Sequence, residues 1–237
     1  MKTKTYRLDR FIRKHTNTAM SDVRLLVAQQ KILVDGQPAQ SIQQVIGEFT
    51  SVTLDGVSLQ NNSPRYIALH KPKGIVSATK DAKHTTVLDL LPPHEQQGLH
   101  IVGRLDFNST GLILLTNDGR WSKAINDENK KVPKYYNVTV DKPITPDVVA
   151  AFNTGIDFPY EGITTKPAGL KTISPLKAEV RLTEGRYHQI KRMFGHFQIE
   201  VLTLHRFAIG QFHLDETLTE GQYKTIAPVT AHQLIIS

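Results

Sequence analysis

Gly103-Arg104-Leu105-Asp106-Phe107-Asn108-Ser109-Thr110-Gly111 runs directly into Leu112-Ile113-Leu114-Leu115. A polar, turn-prone segment bracketed by glycines carries one carboxylate, and the apolar run behind it reads as a buried strand. This arrangement presents a single acid at the mouth of a cleft: the loop carries the group and the strand fixes it. Free aspartate titrates at about 3.9 and is ionised at neutral pH. In a shaped pocket such a carboxylate serves as nucleophile or as base, and the sequence leaves both open. The competing role is that of a turn cap, the common use of Asp in such loops.

Around this stretch, short apolar runs alternate with turns. Tyr66–Leu69, Ile75–Ser77, Leu112–Leu115, Tyr136–Val140, Ala178–Leu182, Glu200–Leu204 and Phe207–Ile209 read as strands. Helices are fewer. One holds Trp121–Ile125 after Asn117-Asp118-Gly119, one starts at Thr145-Pro146-Asp147 and stops at Gly155, and one spans His188–Phe197 through Ile190, Met193 and Phe194. Several strands with few helices predict an α+β domain on a mainly antiparallel sheet.

The first fifty-odd residues form a separate unit. Leu8, Phe11 and Ile12 recur at helical spacing from Tyr6, with Arg7, Arg10, Arg13 and Lys14 largely off that stripe. Ser21-Asp22 offers an N-cap to a second helix carrying Val23, Leu26 and Val27. Strands at Lys31–Val34 and Phe49–Leu54 each end in an Asp-Gly turn. Leu59-Gln60-Asn61-Asn62-Ser63-Pro64 is polar, uncharged and closed by proline. It marks a linker over 59–64, between a domain at 1–58 and a second at 65–237.

Of 237 residues, 29 are Lys or Arg and 22 are Asp or Glu, a net charge of +7. Residues 1–31 hold eight basic residues (Lys2, Lys4, Arg7, Arg10, Arg13, Lys14, Arg24, Lys31) against Asp9 and Asp22, a local balance of +6. A basic cluster on one short element suits a polyanion, or forms a solvated helix face. The chain has no cysteine, which excludes disulfides and thiolate metal sites. The histidines show no metal-ligand spacing, no apolar run spans a bilayer, and the basic N-terminus lacks a signal-peptide core. A soluble cytoplasmic protein that takes no metal is expected.

The Asp106 string resembles the catalytic-aspartate motif of RsuA-type pseudouridine synthases. Three further stretches resemble the same family. Lys134-Tyr135-Tyr136 matches its lysine-any-tyrosine motif and implies Tyr136 as the aromatic beside the acid. Tyr136 shares a strand face with Val138 and Val140, whereas Tyr135 points the other way. Glu184-Gly185-Arg186-Tyr187-His188-Gln189-Ile190-Lys191-Arg192-Met193-Phe194 matches the third motif. It implies Lys191 as the cation that keeps Asp106 charged and Ile190 as a wall of the base pocket. Arg186 and Arg192 suit phosphates. Tyr66-Ile67-Ala68-Leu69-His70-Lys71-Pro72-Lys73-Gly74 resembles the segment opening the catalytic domain, with His70 where asparagine is usual. There Lys71 and Lys73 suit backbone tracking. The N-terminal unit resembles the S4 RNA-binding domain, implying that Arg7, Arg10, Arg13, Lys14 and Arg24 meet structured RNA, with Arg104 contacting it beside Asp106. Lys80, Lys83 and His84 lie in a further polar loop read as close to RNA.

The resemblance implies a cofactor-free monomer that converts a uridine of 16S (small-subunit) ribosomal RNA to pseudouridine, uridine 516 being the implied target. Asp106 would do the chemistry, Lys191 would hold it charged and Tyr136 would stack on the flipped base. Two rivals stand: the same chemistry on a 23S uridine, and a non-catalytic assembly factor that kept its S4 module.

Overall fold

The computed structural model describes residues 5–234, so Lys2 and Lys4 of the basic cluster lie outside the described residues. The chain divides into two compact units, Met1–Pro64 and Arg65–Ser237.

In the first unit, helices Leu8–Thr16 and Met20–Ala28 pack with an antiparallel sheet ordered Gln37–Pro38, Ile32–Val34, Val52–Leu54, Val57–Gln60. Leu8, Phe11, Ile12, Val23, Ile32, Ile46 and Val52 form its core. Asp35-Gly36 and Asp55-Gly56 all have positive φ, the signature of tight hairpin turns that match strand twist. Three boundaries differ from expectation. Tyr6 and Arg7 pair as a short strand with Val45–Ile46, so the first helix starts at Leu8. The second helix starts at Met20 with Ala19 at its cap and no side-chain cap, which leaves Ser21 and Asp22 inside the first turn. Leu59 and Gln60 belong to the sheet, where Gln60 pairs with Val52, so the segment read as a linker loses its first two residues.

The second unit is built on a nine-stranded sheet with the path Gly169–Ser174, Lys177–Leu182, Lys134–Val140, Val201–Ile209, Thr110–Thr116, Tyr66–Lys71, Tyr223–Thr225. Phe212–His213 and His100–Val102 pair beside that path. Strand pairs are antiparallel except one: Val201–Ile209 runs parallel to Thr110–Thr116, with His205 opposite Thr110 and Arg206 opposite Gly111. The strand behind the Asp106 loop is apolar throughout because both its faces are covered. Leu112 and Leu114 pack with Trp121, Ile125 and Ala231 on one side. Ile113 and Leu115 pack with Val87, Leu88 and Leu99 on the other. A separate core of Val138, Val180, Phe152 and Phe194 lies under helices Pro146–Thr154 and Gln189–Gly195. Among the described residues, no helix is long and apolar enough to cross a membrane.

The runs read at Glu200–Leu204 and Phe207–Ile209 prove to be one strand, Val201–Ile209, which leaves out Glu200, because Arg206 between them is buried rather than looped out. Ile75–Ser77 is not a strand and makes only an isolated bridge, Val76 to Thr86. The sheet's parallel seam is also tight. At Gly111, with φ of +107°, a Cβ would sit 2.3 Å from the Arg206 carbonyl oxygen. The glycine that closes the Asp106 string is therefore required by the packing of two backbones. Gly111→Ala should cost about 3 kcal/mol or more, seen as a drop of roughly 6–12 °C in the midpoint of thermal unfolding.

Candidate active site

The Asp106 loop is held from three directions. Lys71 is fully buried, and its ammonium donates to the carbonyls of Pro72 at 2.9 Å, Ser109 at 2.9 Å and Phe107 at 3.4 Å. Arg206, 1% exposed, donates from Nε to Leu112 O at 2.8 Å and from Nη2 to Gly103 O at 2.6 Å, with Nη1 3.4 Å from Arg104 O. Ser77 Oγ donates to Leu105 O at 2.6 Å and accepts from Leu105 N at 3.1 Å. A backbone turn closes the remainder, from Ser109 N to Asp106 O at 3.0 Å. The loop's carbonyls thus meet buried donors, and the aspartate side chain is left facing outward, 25% exposed.

Two side chains from the third motif meet that carboxylate. Lys191 Nζ lies 3.4 Å from one oxygen and His188 Nε2 3.4 Å from the other. They stand three residues apart at the start of Gln189–Gly195, so they face the same way. His188 holds a left-handed backbone conformation, φ 48° and ψ 31°, which turns the chain into the helix. Its ring stacks on exposed Tyr187 at 3.8 Å. Buried Glu184 braces the motif from behind: it accepts from Gln189 Nε2 at 2.6 Å, Arg186 Nε at 3.1 Å and the Lys166 N–H at 2.9 Å.

Asp106, Glu184, Tyr187 and His188 border a cleft of about 750 Å³, lined also by Arg104, Lys134, Tyr136, Leu182, Ile190 and Leu204. Tyr136 is 7% exposed, with its ring under the Arg206 guanidinium at 5.9 Å and its hydroxyl 3.5 Å from Nη1. Tyr135, on the opposite strand face, lies beside Phe207 instead. The arrangement brings a paired carboxylate, an aromatic face and an apolar wall at Ile190 around one space. Such a site can hold a flat ring against an aromatic face with a carboxylate beside it.

Not every residue singled out from the sequence stands where expected. Lys71 cannot track an RNA backbone, because it has no exposed surface; it grips the Asp106 loop. Burial pulls its ammonium down to about 8, and the nearby Asp106 and Glu220 charges resist that fall. Arg192 is ion-paired with Glu161, lies 4.2 Å over the Phe158 ring and does not line the cleft, so it is not poised for phosphate. Arg186 lines the cleft but spends its Nε on Glu184. Lys73 and Arg104 are exposed, as are Lys80, Lys83 and His84.

In the first unit Arg10, Arg13, Lys14 and Arg24 are exposed. Arg7 is tied at 2.7 Å to Asp9, a buried carboxylate. Burial pushes that carboxyl up, but hydrogen bonds from Arg7 and the Arg10 N–H leave it below its ordinary value.

Arg206 and His188 were not among the site residues singled out from the sequence. The signal for Arg206 was present: a charged residue interrupting an apolar run that otherwise reads as one strand. Arg206→Met should leave buried carbonyls at Gly103 and Leu112 unmet. The expected loss is about 2–4 kcal/mol, measured by urea unfolding.

Comparison with known proteins agrees with this geometry. Residues 65–196 match the family described as RNA pseudouridylate synthase. The chain is 44% identical over 229 residues, 96% of its length and 98% of the relative's, to the ribosomal small subunit pseudouridine synthase A of Pseudomonas aeruginosa. It is 36% identical, with the same coverage, to the protein of that name from Escherichia coli (strain K12). A solved structure described as a pseudouridylate synthase superposes with a TM-score of 0.70 at 32% identity, over 96% of this chain and 99% of the other. On these matches, this chain is an RsuA-type member of the RNA pseudouridylate synthase family.

Proposed function

We propose that this enzyme acts on 16S (small-subunit) ribosomal RNA, with uridine 516 as its target, as a cytoplasmic monomer without a cofactor. One observation carries the choice of reacting group: Asp106 stands with Lys191 and His188 each 3.4 Å from its oxygens, in a cleft it shares with Tyr136. The names of relatives at 36% and 44% identity support the choice of RNA.

The chemistry follows from that placement. A uridine leaves its stack, at a cost of a few kcal/mol, and its ring lies against Tyr136. The Asp106 carboxylate attacks C1′ of the ribose, and the C1′–N1 electron pair departs with the base. The freed base turns and its C5 attacks C1′; the carboxylate leaves with its own pair. The C5 proton is then lost and N1 takes one up, so the product is an isomer with no net change of atoms. Lys191 stands 3.4 Å from the carboxylate as its counter-charge. Ile190 excludes water on one side of the ring.

Exposed Arg104 and Lys73 meet phosphates near the cleft. Residues 1–58, read as an S4-like domain, dock structured RNA through Arg10, Arg13, Lys14 and Arg24.

The test is tritium release from ribosomal RNA labelled at C5 of uridine, since forming the carbon–carbon bond expels that hydrogen. Wild type should release label from small-subunit RNA, and Asp106→Asn should bind with unchanged affinity and release none. Release from large-subunit RNA alone would keep the chemistry and overturn the target. Tight binding without release from either RNA would make the chain a non-catalytic factor. In the first unit, Arg10→Ala with Arg13→Ala should lower the slope of log affinity against log salt by about 1–2, leaving the single-turnover rate of bound RNA unchanged.

A further inference from the structure

Lys134 begins the strand Lys134–Val140 and shares its buried face with Tyr136, Val138 and Val140. It is 7% exposed and lines the cleft. The buried charges near it are already satisfied. Glu184 has Arg186 and Gln189, and Arg206 has the loop carbonyls. The Lys134 ammonium makes neither a hydrogen bond nor an ion pair with the described residues. The charges that act on it do so from a distance: Arg206 on Val201–Ile209 repels it, and Glu128, after helix Gly119–Asn126, attracts it. Glu128 is itself paired with Lys166 at 3.0 Å. On the adjoining strand Lys177–Leu182 the residue opposite Lys134 is apolar Leu182.

An unpaired ammonium in such a place is costly to the fold, and an apolar side chain of similar length would serve packing better. A ligand that enters the cleft can supply the missing partner.

We propose that Lys134 is a catalytic residue of the isomerisation, donating a hydrogen bond from Nζ to a carbonyl oxygen of the flipped uracil. This rests on the reaction assigned above. Residues two apart on one strand face stand roughly 6.6 Å apart, about the reach from the centre of a pyrimidine stacked on Tyr136 to a donor at its edge. Depth separates this donor from the phosphate contacts: the RNA backbone stays at the rim with exposed Arg104, whereas Lys134 lies within.

When the C1′–N1 bond breaks, its electron pair stays on the base and the negative charge spreads to the carbonyl oxygens. A cation aimed there stabilises the departing anion, and the charge is consumed when C5 bonds to C1′. Lys134 keeps its proton throughout. Its flexible four-carbon stem can follow the oxygen as the base turns.

The direction of the acid–base effect agrees with this role. Burial, with Arg206 adding and Glu128 opposing, brings the Lys134 ammonium down to about 8. The protonated donor is present below that pH and lost above it.

The experiment is single-turnover tritium release by the full-length Lys134→Met variant, beside wild type, across pH 6–10 on small-subunit RNA labelled at C5 of uridine. The rate near pH 7 should fall by about 100-fold, with RNA affinity and unfolding midpoint preserved. Wild type should lose rate above about pH 8, and the residual rate of the variant should lack that limb. Lys71 is also drawn down to about 8, so a limb that persists in Lys134→Met belongs to Lys71 and overturns the assignment. A variant rate close to wild type overturns it equally. Should Lys134→Met not fold, Lys134→Arg keeps a cation and should move the limb upward by about a unit or more; an unmoved limb overturns it. Wild type silent on every labelled RNA would instead overturn the functional reading, and this assignment with it.

Discussion

Two buried cations and a serine hydroxyl hold the backbone that carries Asp106, and the site depends on that grip. Carbonyl groups withdrawn from water must find donors or cost 1–3 kcal/mol each, about. Here Lys71 meets those of Pro72, Phe107 and Ser109, Arg206 those of Gly103, Arg104 and Leu112, and Ser77 that of Leu105. The loop needs no regular secondary structure of its own. Its geometry is set by charges whose own desolvation is compensated by the carbonyls they bind. Positioning an acid this way fixes its backbone while its side chain stays open to the cleft.

The cations of the catalytic unit therefore divide by depth. Lys71 and Arg206 lie under the loop and act on backbone. Lys191 faces the Asp106 carboxylate, with the His188 ring beside it. Arg104 and Lys73 remain in solvent, where long-range attraction to a polyanion is set by position and salt. One formal charge thus does three kinds of work. The bulk balance of +7 reveals none of it, because burial decides which kind each residue performs.

Much of the α+β architecture was legible in the sequence, since apolar runs, Asp-Gly turns and the Pro146 helix start are local signals. That Tyr135 and Tyr136 face opposite ways followed from strand alternation, while the choice of Tyr136 for the cleft came from the motif resemblance. What local pattern could not carry was burial of charge. Lys71 looks like a surface lysine beside a Pro turn, and only the packing of the Asp106 loop over it, with the Phe107 and Ser109 carbonyls turned toward its ammonium, makes it an anchor. Arg206 split one strand into two apparent runs because polar residues count against strand interiors, yet here the polarity is matched across the parallel seam. His188 lay within a recognised motif, but its approach to Asp106 depends on a left-handed turn at the head of a helix.

The seam between Thr110–Thr116 and Val201–Ile209 also fixes when the enzyme comes into being. The Leu112 and Gly103 carbonyls wait for a guanidinium 94 and 103 residues further along the chain. During synthesis the aspartate loop leaves the ribosome long before its anchor, and loop-closure entropy must be met before that contact rewards it. The frame is complete only once Val201–Ile209 is in place, so a chain stopped short of it carries Asp106 on a loop without its anchor.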